Sequence, residues 1–295
     1  MLSLVEAAPS LDESAVINML ICQHRIAFWV MKLSELKLIG LSRYRQMLLS
    51  RIKMKALLAL PEKLKQISFY GSSCYCPVCK SHIREYERFG HMEKAWCPVC
   101  GSMRWQRFAW CFLAESTTLF DETPKKFLHI APEIAFEPRL KRLKYLEYLT
   151  ADLFDPNAMA KVDVADIPFP NDSFDAIFCS HVMEHISDDR KALREFFRVL
   201  ASGGWAIFLV PIRMNRLTDE DADVTDPKER ERRFGQHDHV RFYGCDFEDR
   251  LRDAGFHVAV IRATDILDSS QIDQMRISSN ELLFYCQKLD SSKRN

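Results

Sequence analysis

Cys76-Pro-Val-Cys79 and Cys97-Pro-Val-Cys100 are two near-identical turns separated by seventeen residues. Each can point two thiolates inward from a tight loop, and two such turns facing each other supply the tetrahedral sulfur set that a closed structural zinc site requires. Redox chemistry of the thioredoxin kind needs only one such turn, so the pair favours a metal. Cys74, His82 and His91 stand close enough in sequence to substitute as ligands. A fully coordinated zinc keeps no open position, so the site's role is scaffolding or recognition rather than catalysis. Arg104, Trp105, Gln106 and Arg107 follow directly. Basic residues interleaved with aromatics can hold single-stranded nucleic acid, or else dock the small ribbon by packing.

A second group of chemistry-bearing residues runs from Asp163 to His185. A short strand ends in Asp163, a turn built on Pro168 and Pro170 follows, and the apolar run to Ser180 delivers polar side chains at its carboxyl end. That is where open α/β sheets bind ligands. A third group, Gly235 to Tyr243, brings His237, Asp238, His239, Arg241 and Tyr243 within nine residues. Imidazole titrates near neutral pH, so such a cluster suits proton transfer.

The elements that must position these groups follow from the patterning. From Lys126 onward, short β-type runs (127–131, 146–151, 173–180, 204–211, 256–263 and 281–287) alternate with helical ones, which argues for parallel strands with crossover helices. The polar segment from Arg213 to about Val240 is too long for a plain connection and reads as a lid or substrate loop. Residues 1–70 read as a helical segment, 71–112 as a zinc-ribbon-like module and 113–295 as the α/β domain. Between Lys32 and Lys65 nine Lys or Arg face only Glu35 and Glu62. This stretch could touch a membrane surface or RNA, but its polar and apolar positions separate poorly on a helical wheel and favour a packing arm.

The run from Asp163 to Ile186, followed by 192–204 with Glu195, Gly203 and Gly204, resembles the class I S-adenosylmethionine-dependent methyltransferases, of the methyltransferase type 11 kind. The resemblance covers about residues 126–287 and implies a Rossmann-like seven-stranded sheet. Carried over position by position, it implies that Asp163 accepts from the adenine amino group and that the Val164 N–H faces the ring. Asp152 would take the ribose hydroxyls, or else cap the turn before Pro156. Ser180, His181 and Met183 would line the methyl-donor side. The first motif departs from the family: His129 stands at the acid position, and Ala131, Pro132 and Glu133 replace the glycine-rich loop. Glu133 would then stand in for the missing carboxylate, or the donor site would be degenerate. The link from Leu153 to Val162 leaves room for about one helical turn.

Methyl transfer is an in-line displacement, so the protein mainly aligns a nucleophile and excludes water. The segment around His237 and His239 resembles one that some family members place over the substrate. His239 or His237, tuned by Asp238, is the expected base, with His181 beside the donor and Arg241 free to hold an anionic group. The expected activity is O-methylation of a small molecule or glycan precursor. RNA methylation through the zinc module and a non-catalytic binding role are the alternatives.

The bulk numbers fit an enzyme that needs no global field. Lys plus Arg and Asp plus Glu both total 41, and 47% hydrophobic content over 295 residues supports a sizeable core. The opening residues lack a basic stretch followed by an apolar core and cleavage site, and 15–31 is interrupted by Gln23, His24 and Arg25. A cytoplasmic, reducing location is therefore expected, where clustered cysteines more often bind metal than pair.

Overall fold

A computed structural model describes residues 43–290, with side chains from residue 48 onward. The apolar stretch 15–31, and the helical and basic sequence before residue 43, lie outside the described residues. The chain divides into two compact units, Met1–Gly101 and Ser102–Asn295.

In the first unit, helices α1 (Arg43–Leu58) and α2 (Glu62–Ser68) precede two short hairpins. Strand β1 (Cys74–Cys76) pairs antiparallel with β2 (Ser81–Ile83), and β3 (Glu87–Phe89) with β4 (Met92–Trp96). So small a unit needs cross-links. The fully buried Trp96 donates its indole N–H to the Arg88 carbonyl at 2.9 Å, and the Tyr86 hydroxyl donates to the Tyr75 carbonyl at 2.6 Å. The Gly90 N–H donates to Ser50 Oγ at 2.9 Å, and Lys53 pairs with Glu87, tying α1 to the second hairpin. The described part of the basic stretch is therefore not one exposed face: Lys53 is paired and Lys65 is buried.

The second unit starts with α3 (Arg104–Ser116), which buries Arg107 through Leu113. The expected boundary after residue 112 falls inside this helix; the second compact unit begins ahead of it, at Ser102. Arg107 is fully buried and donates to the carbonyls of Met275, Ser102 and Arg276. It is a packing residue there, so the expectation of a nucleic-acid face from Arg104 to Arg107 loses its second cation.

The remaining elements are β5 (Lys125–Ile130), α4 (Glu137–Leu140), β6 (Leu146–Asp152), β7 (Ala160–Lys161), β8 (Phe174–Ser180), α5 (Asp189–Val199) and β9 (Leu200–Leu209). After these come β10 (Ile212–Arg213), β11 (Asp219–Glu220), α6 (Pro227–Phe234), β12 (Arg241–Gly244), α7 (Phe247–Asp253), β13 (His257–Arg262), α8 (Ala263–Ile266), α9 (Ser269–Met275) and β14 (Leu282–Gln287). Seven of the strands form one sheet in the order β13-β14-β9-β8-β5-β6-β7. Strands β5 to β9 run parallel, and β14 is inserted antiparallel between β9 and β13. This mixed sheet with helices is the Rossmann-like arrangement that the resemblance implies; the alternating pattern alone argued for parallel strands, from which β14 departs. Its centre is dry: Leu128, Ile177, Phe208 and Phe284 are fully buried.

Helix α5 shows how the pattern works locally. The Asp188 carboxylate accepts from the Lys191 N–H at 2.9 Å and caps the helix, while Ala192, Leu193, Phe196 and Val199 form its buried stripe. The following turn needs Gly204, where a Cβ would lie 2.8 Å from the carbonyl oxygens of both Ala201 and Asp175. The expected helical turn between β6 and β7 does not form. Asp152 Oδ1 instead accepts from the Phe154 and Asp155 N–H groups, and Asp155 Oδ1 from that of Asn157, so side chains hold the link as successive turns.

The long polar segment is largely ordered. Strands β10, β12 and β11 form a small separate sheet, and α6 is capped by Asp226, whose Oδ1 accepts from Lys228 and Glu229. Among the described residues, no helix is long and apolar enough to cross a membrane.

Candidate functional site

The four cysteines of the paired turns converge. Cys76 Sγ lies 3.7 Å from Cys100 Sγ, and Cys79 Sγ lies 3.8 Å from Cys97 Sγ, with all four sulfurs within 4.8 Å of one another and buried. A disulfide would need about 2.05 Å. Zinc–sulfur bonds of about 2.3 Å at tetrahedral angles put the sulfurs about 3.8 Å apart. The spacing thus fits a tetrahedral thiolate site. Cys74, His82 and His91 are not part of this group. Burial raises the Cys97 and Cys100 thiols well above their ordinary range, and a bound cation is what would favour the thiolates there.

In the second unit, a cavity of about 420 Å³ opens at the carboxyl ends of β5, β6 and β8. Ala131, Asp152, Asp163, Val164 and His181 line it, together with Leu153, Phe154, Val182, His185, Ile186 and Asp238. Five of the nine residues expected around the donor therefore meet in one space. Pro132, Glu133, Ser180 and Met183 are not in its lining.

Local backbone explains the floor of the cavity. Ala131 holds φ +49°, the left-handed conformation that glycine would adopt easily, and its N–H donates to the Ala151 carbonyl at 2.9 Å. Its single methyl group keeps the backbone close to the space. Glu133 is buried and its carboxylate bonds His129 Nε2, while His129 Nδ1 meets the Tyr148 hydroxyl at 2.7 Å. That carboxylate is thus engaged with His129 and not with the cavity.

The adjoining loop is fixed by α5. Glu195 Oε2 accepts from the Ile167 N–H at 2.9 Å, and Arg198 donates to the carbonyls of Ile167 and Phe169 at 2.8 and 2.7 Å. Arg198 also pairs with Glu195, whose carboxyl it lowers by hydrogen bonding against the opposing effect of burial. Asp163 Oδ1 accepts from Ala165. These contacts hold Asp163 and Val164 at the cavity's edge.

The imidazoles divide. His181 holds φ +55° and its Nδ1 lies 3.2 Å from Glu184 Oε1, with the Trp105 ring 5.0 Å away. Burial opposes its charged form, but the Glu184 hydrogen bond and the charges of Glu184, Glu133 and Glu281 outweigh that and raise its pKa. His239 is buried outside the cavity lining; Nδ1 bonds the Phe234 carbonyl at 2.9 Å, Nε2 meets the Gln236 amide at 2.7 Å, and burial lowers its pKa. His237 is exposed and also outside the lining. His185 lines the cavity, 3.5 Å from Asp238 and against the His239 ring.

Arg241 does not face the cavity as an anion-binding group. It is buried, donates to Glu220 at 2.9 Å and to the carbonyls of Met183, Ile186 and Ser187, and so clamps the turn carrying Glu184 and His185. Tyr243 supports the same turn, its hydroxyl between the Met183 carbonyl and Asp189 Oδ2. Sequence reasoning missed Ile130, Leu153, Phe154, Val162, Val182, His185 and Ile186 as cavity residues; the only signal was their nearness in sequence to Ala131, Asp152, Asp163 and His181.

Residues 137–208 match the family model described as a methyltransferase domain. A 47-residue stretch is 43% identical to ajmaline N-methyltransferase of Rauvolfia serpentina, over 16% of this chain and 16% of that enzyme. A 38-residue stretch is 55% identical to the uncharacterized methyltransferase YcgJ of Bacillus subtilis, over 13% of this chain and 15% of that protein. The matches thus span about a sixth of the length of these curated relatives. A solved S-adenosylmethionine-dependent methyltransferase from Mesorhizobium loti aligns with a TM-score of 0.41 at 17% identity, covering 61% of this chain and 96% of that one.

Proposed function

We propose that this chain is an S-adenosylmethionine-dependent methyltransferase that O-methylates a small molecule or glycan precursor, with a structural zinc on Cys76, Cys79, Cys97 and Cys100. The observation that carries the reading is the cavity at the strand ends, where Asp152, Asp163, Val164 and His181 share one lining. The methyltransferase-domain match over 137–208 supports it.

The lining suits the donor. Ile130, Val162, Val164 and Ile186 give apolar walls for a purine, and two carboxylates stand at adjacent strand ends for amino and hydroxyl donors. Asp163 takes the adenine amino group and Asp152 the ribose, the latter while also holding its own turn through Oδ1. Bound there, the donor supplies an electrophilic methyl group on a sulfonium. The protein contributes position, exclusion of water and a proton acceptor. Among the nominated imidazoles, His181 is the one in the cavity lining, and Glu184 orients it; it is the base we assign. The raised pKa of His181 strengthens it as an acceptor at the cost of a smaller neutral fraction. The zinc thiolates fit the reducing interior of a cell.

Incubation with methyl-labelled donor and candidate hydroxyl acceptors tests this reading. Label should move to a hydroxyl acceptor in wild type and fall at least tenfold in His181→Ala. Transfer unchanged by that substitution would place the base elsewhere.

A further inference from the structure

Glu184, His185 and His239 each offer one ligand atom, and these atoms lie within 4.8 Å of one another. Two are contributed by the short turn after β8 and one by the segment before β12; the Val240 N–H binds the two segments through the Glu184 carbonyl at 2.9 Å. A carboxylate and two imidazoles at this spacing are a recognised set for a borderline divalent cation.

An independent feature points to a ligand. The Glu184 side chain is 1% exposed, and while Oε1 meets His181, Oε2 is buried without a hydrogen-bond partner among the described residues. A buried carboxylate oxygen left unsatisfied is costly, so it calls for a partner. The imidazoles are prepared in the way metal-bound histidines are. His239 Nδ1 is directed at the Phe234 carbonyl, which leaves the lone pair on Nε2. Its present neighbour there, the Gln236 amide, belongs to an exposed side chain that water can satisfy. His185 Nδ1 faces Asp238 Oδ2, the carboxylate–histidine arrangement that orients a ligand ring. Arg241 and Tyr243 brace the turn through the Met183, Ile186 and Ser187 carbonyls, so the ligand atoms sit on supported backbone.

We propose that Glu184, His185 and His239 form a second metal site, for a borderline divalent cation such as Zn2+, beside the cavity that His185 lines. It differs from the cysteine site in ligand chemistry: one oxygen and two nitrogens leave room for a substrate oxygen, whereas four thiolates leave none. Formed zinc–ligand bonds of about 2.0–2.1 Å would bring the ligand atoms to about 3.3 Å apart, a small side-chain adjustment from the present cluster. That the cation would hold the acceptor oxygen rests on the methyltransferase reading. The metal site itself does not.

The test counts zinc in the full chain after chelation, reloading with Zn2+ and removal of excess, for wild type, Glu184→Gln and His185→Ala. Wild type should retain one equivalent more than either variant, with the cysteine site contributing equally to all three. Cobalt substitution should show the extra equivalent without thiolate charge-transfer absorption. Glu184→Gln preserves shape, and melting curves confirm that both variants fold. Equal metal content in the three folded proteins overturns the proposal, including the case in which the variants lose activity. Absence of donor binding by wild type would sink the methyltransferase reading while leaving the metal count to stand or fall by itself.

Discussion

The indole of Trp105 leans against the imidazole of His181, ring centroids 5.0 Å apart at 56°. The contact joins the first turn of α3 to the end of β8 and places a large aromatic beside a residue of the cavity lining. Trp105→Ala is therefore expected to loosen His181 rather than the adenine side. Aromatic pairs are worth about 0.5–1.5 kcal/mol, so turnover should fall about two- to twelve-fold. Donor affinity measured by calorimetry should not change.

Arg241→Ala should act on stability. The substitution removes the donors to the part-buried Ile186 and Ser187 carbonyls and one of the two arginines paired with Glu220, which Arg250 still holds. Loss of these hydrogen bonds should cost about 1–3 kcal/mol, which urea denaturation would register as a lower midpoint at unchanged slope. Arg241→Lys should recover only part of this, because one ammonium cannot reach carbonyls spread over the Met183 to Ser187 turn.

Acid stability should depend on Glu220. Hydrogen bonds from Arg250 and then Arg241 overcome burial and hold its carboxyl at about 2. A folded pKa below the unfolded carboxylate value of about 4.3 contributes stability that is full above that value and is lost as pH falls toward the folded one. Glu220→Gln should consequently be less stable than wild type at neutral pH, with the difference shrinking between about pH 4.3 and about 2. Denaturant midpoints taken across that range check it.

Cys97→Ser should remove one zinc equivalent and disturb the first unit. Trp96 is fully buried next to that ligand, so its emission should shift to the red as the hairpins loosen. Zinc content and fluorescence measured on the same sample should change together; a full complement of zinc in the variant would contradict the four-sulfur assignment.

The strands were legible in the sequence because their apolar runs are short and bounded by turn residues, as in 173–180 for β8 and 281–287 for β14. The convergence of four cysteines was legible because Cys-Pro-Val-Cys occurs twice. The link after β6 was not, since nothing in Leu153 to Met159 announces that Asp152 and Asp155 will hold it as turns. Nor was the division of labour among the histidines. His237, His239 and Arg241 look alike in sequence as candidates for chemistry, yet the fold exposes the first, buries the second against the Phe234 carbonyl and spends the third on backbone carbonyls. Which imidazole meets the cavity depends on where β8 ends relative to β12, a long-range relationship that local spacing does not carry. Ala131 lies between these cases: its place in the glycine loop was readable, its left-handed φ was not.

The cavity is proposed to bind a methyl donor. Calorimetry of the folded, zinc-loaded chain with S-adenosylmethionine and with its demethylated product tests it most directly, alongside Asp163→Asn. That variant keeps an oxygen for the Ala165 N–H but loses the charge proposed to face the adenine amino group. Saturable binding of both ligands to wild type, weakened about tenfold or more in Asp163→Asn, is the predicted result. A folded sample that takes up neither ligand would contradict it.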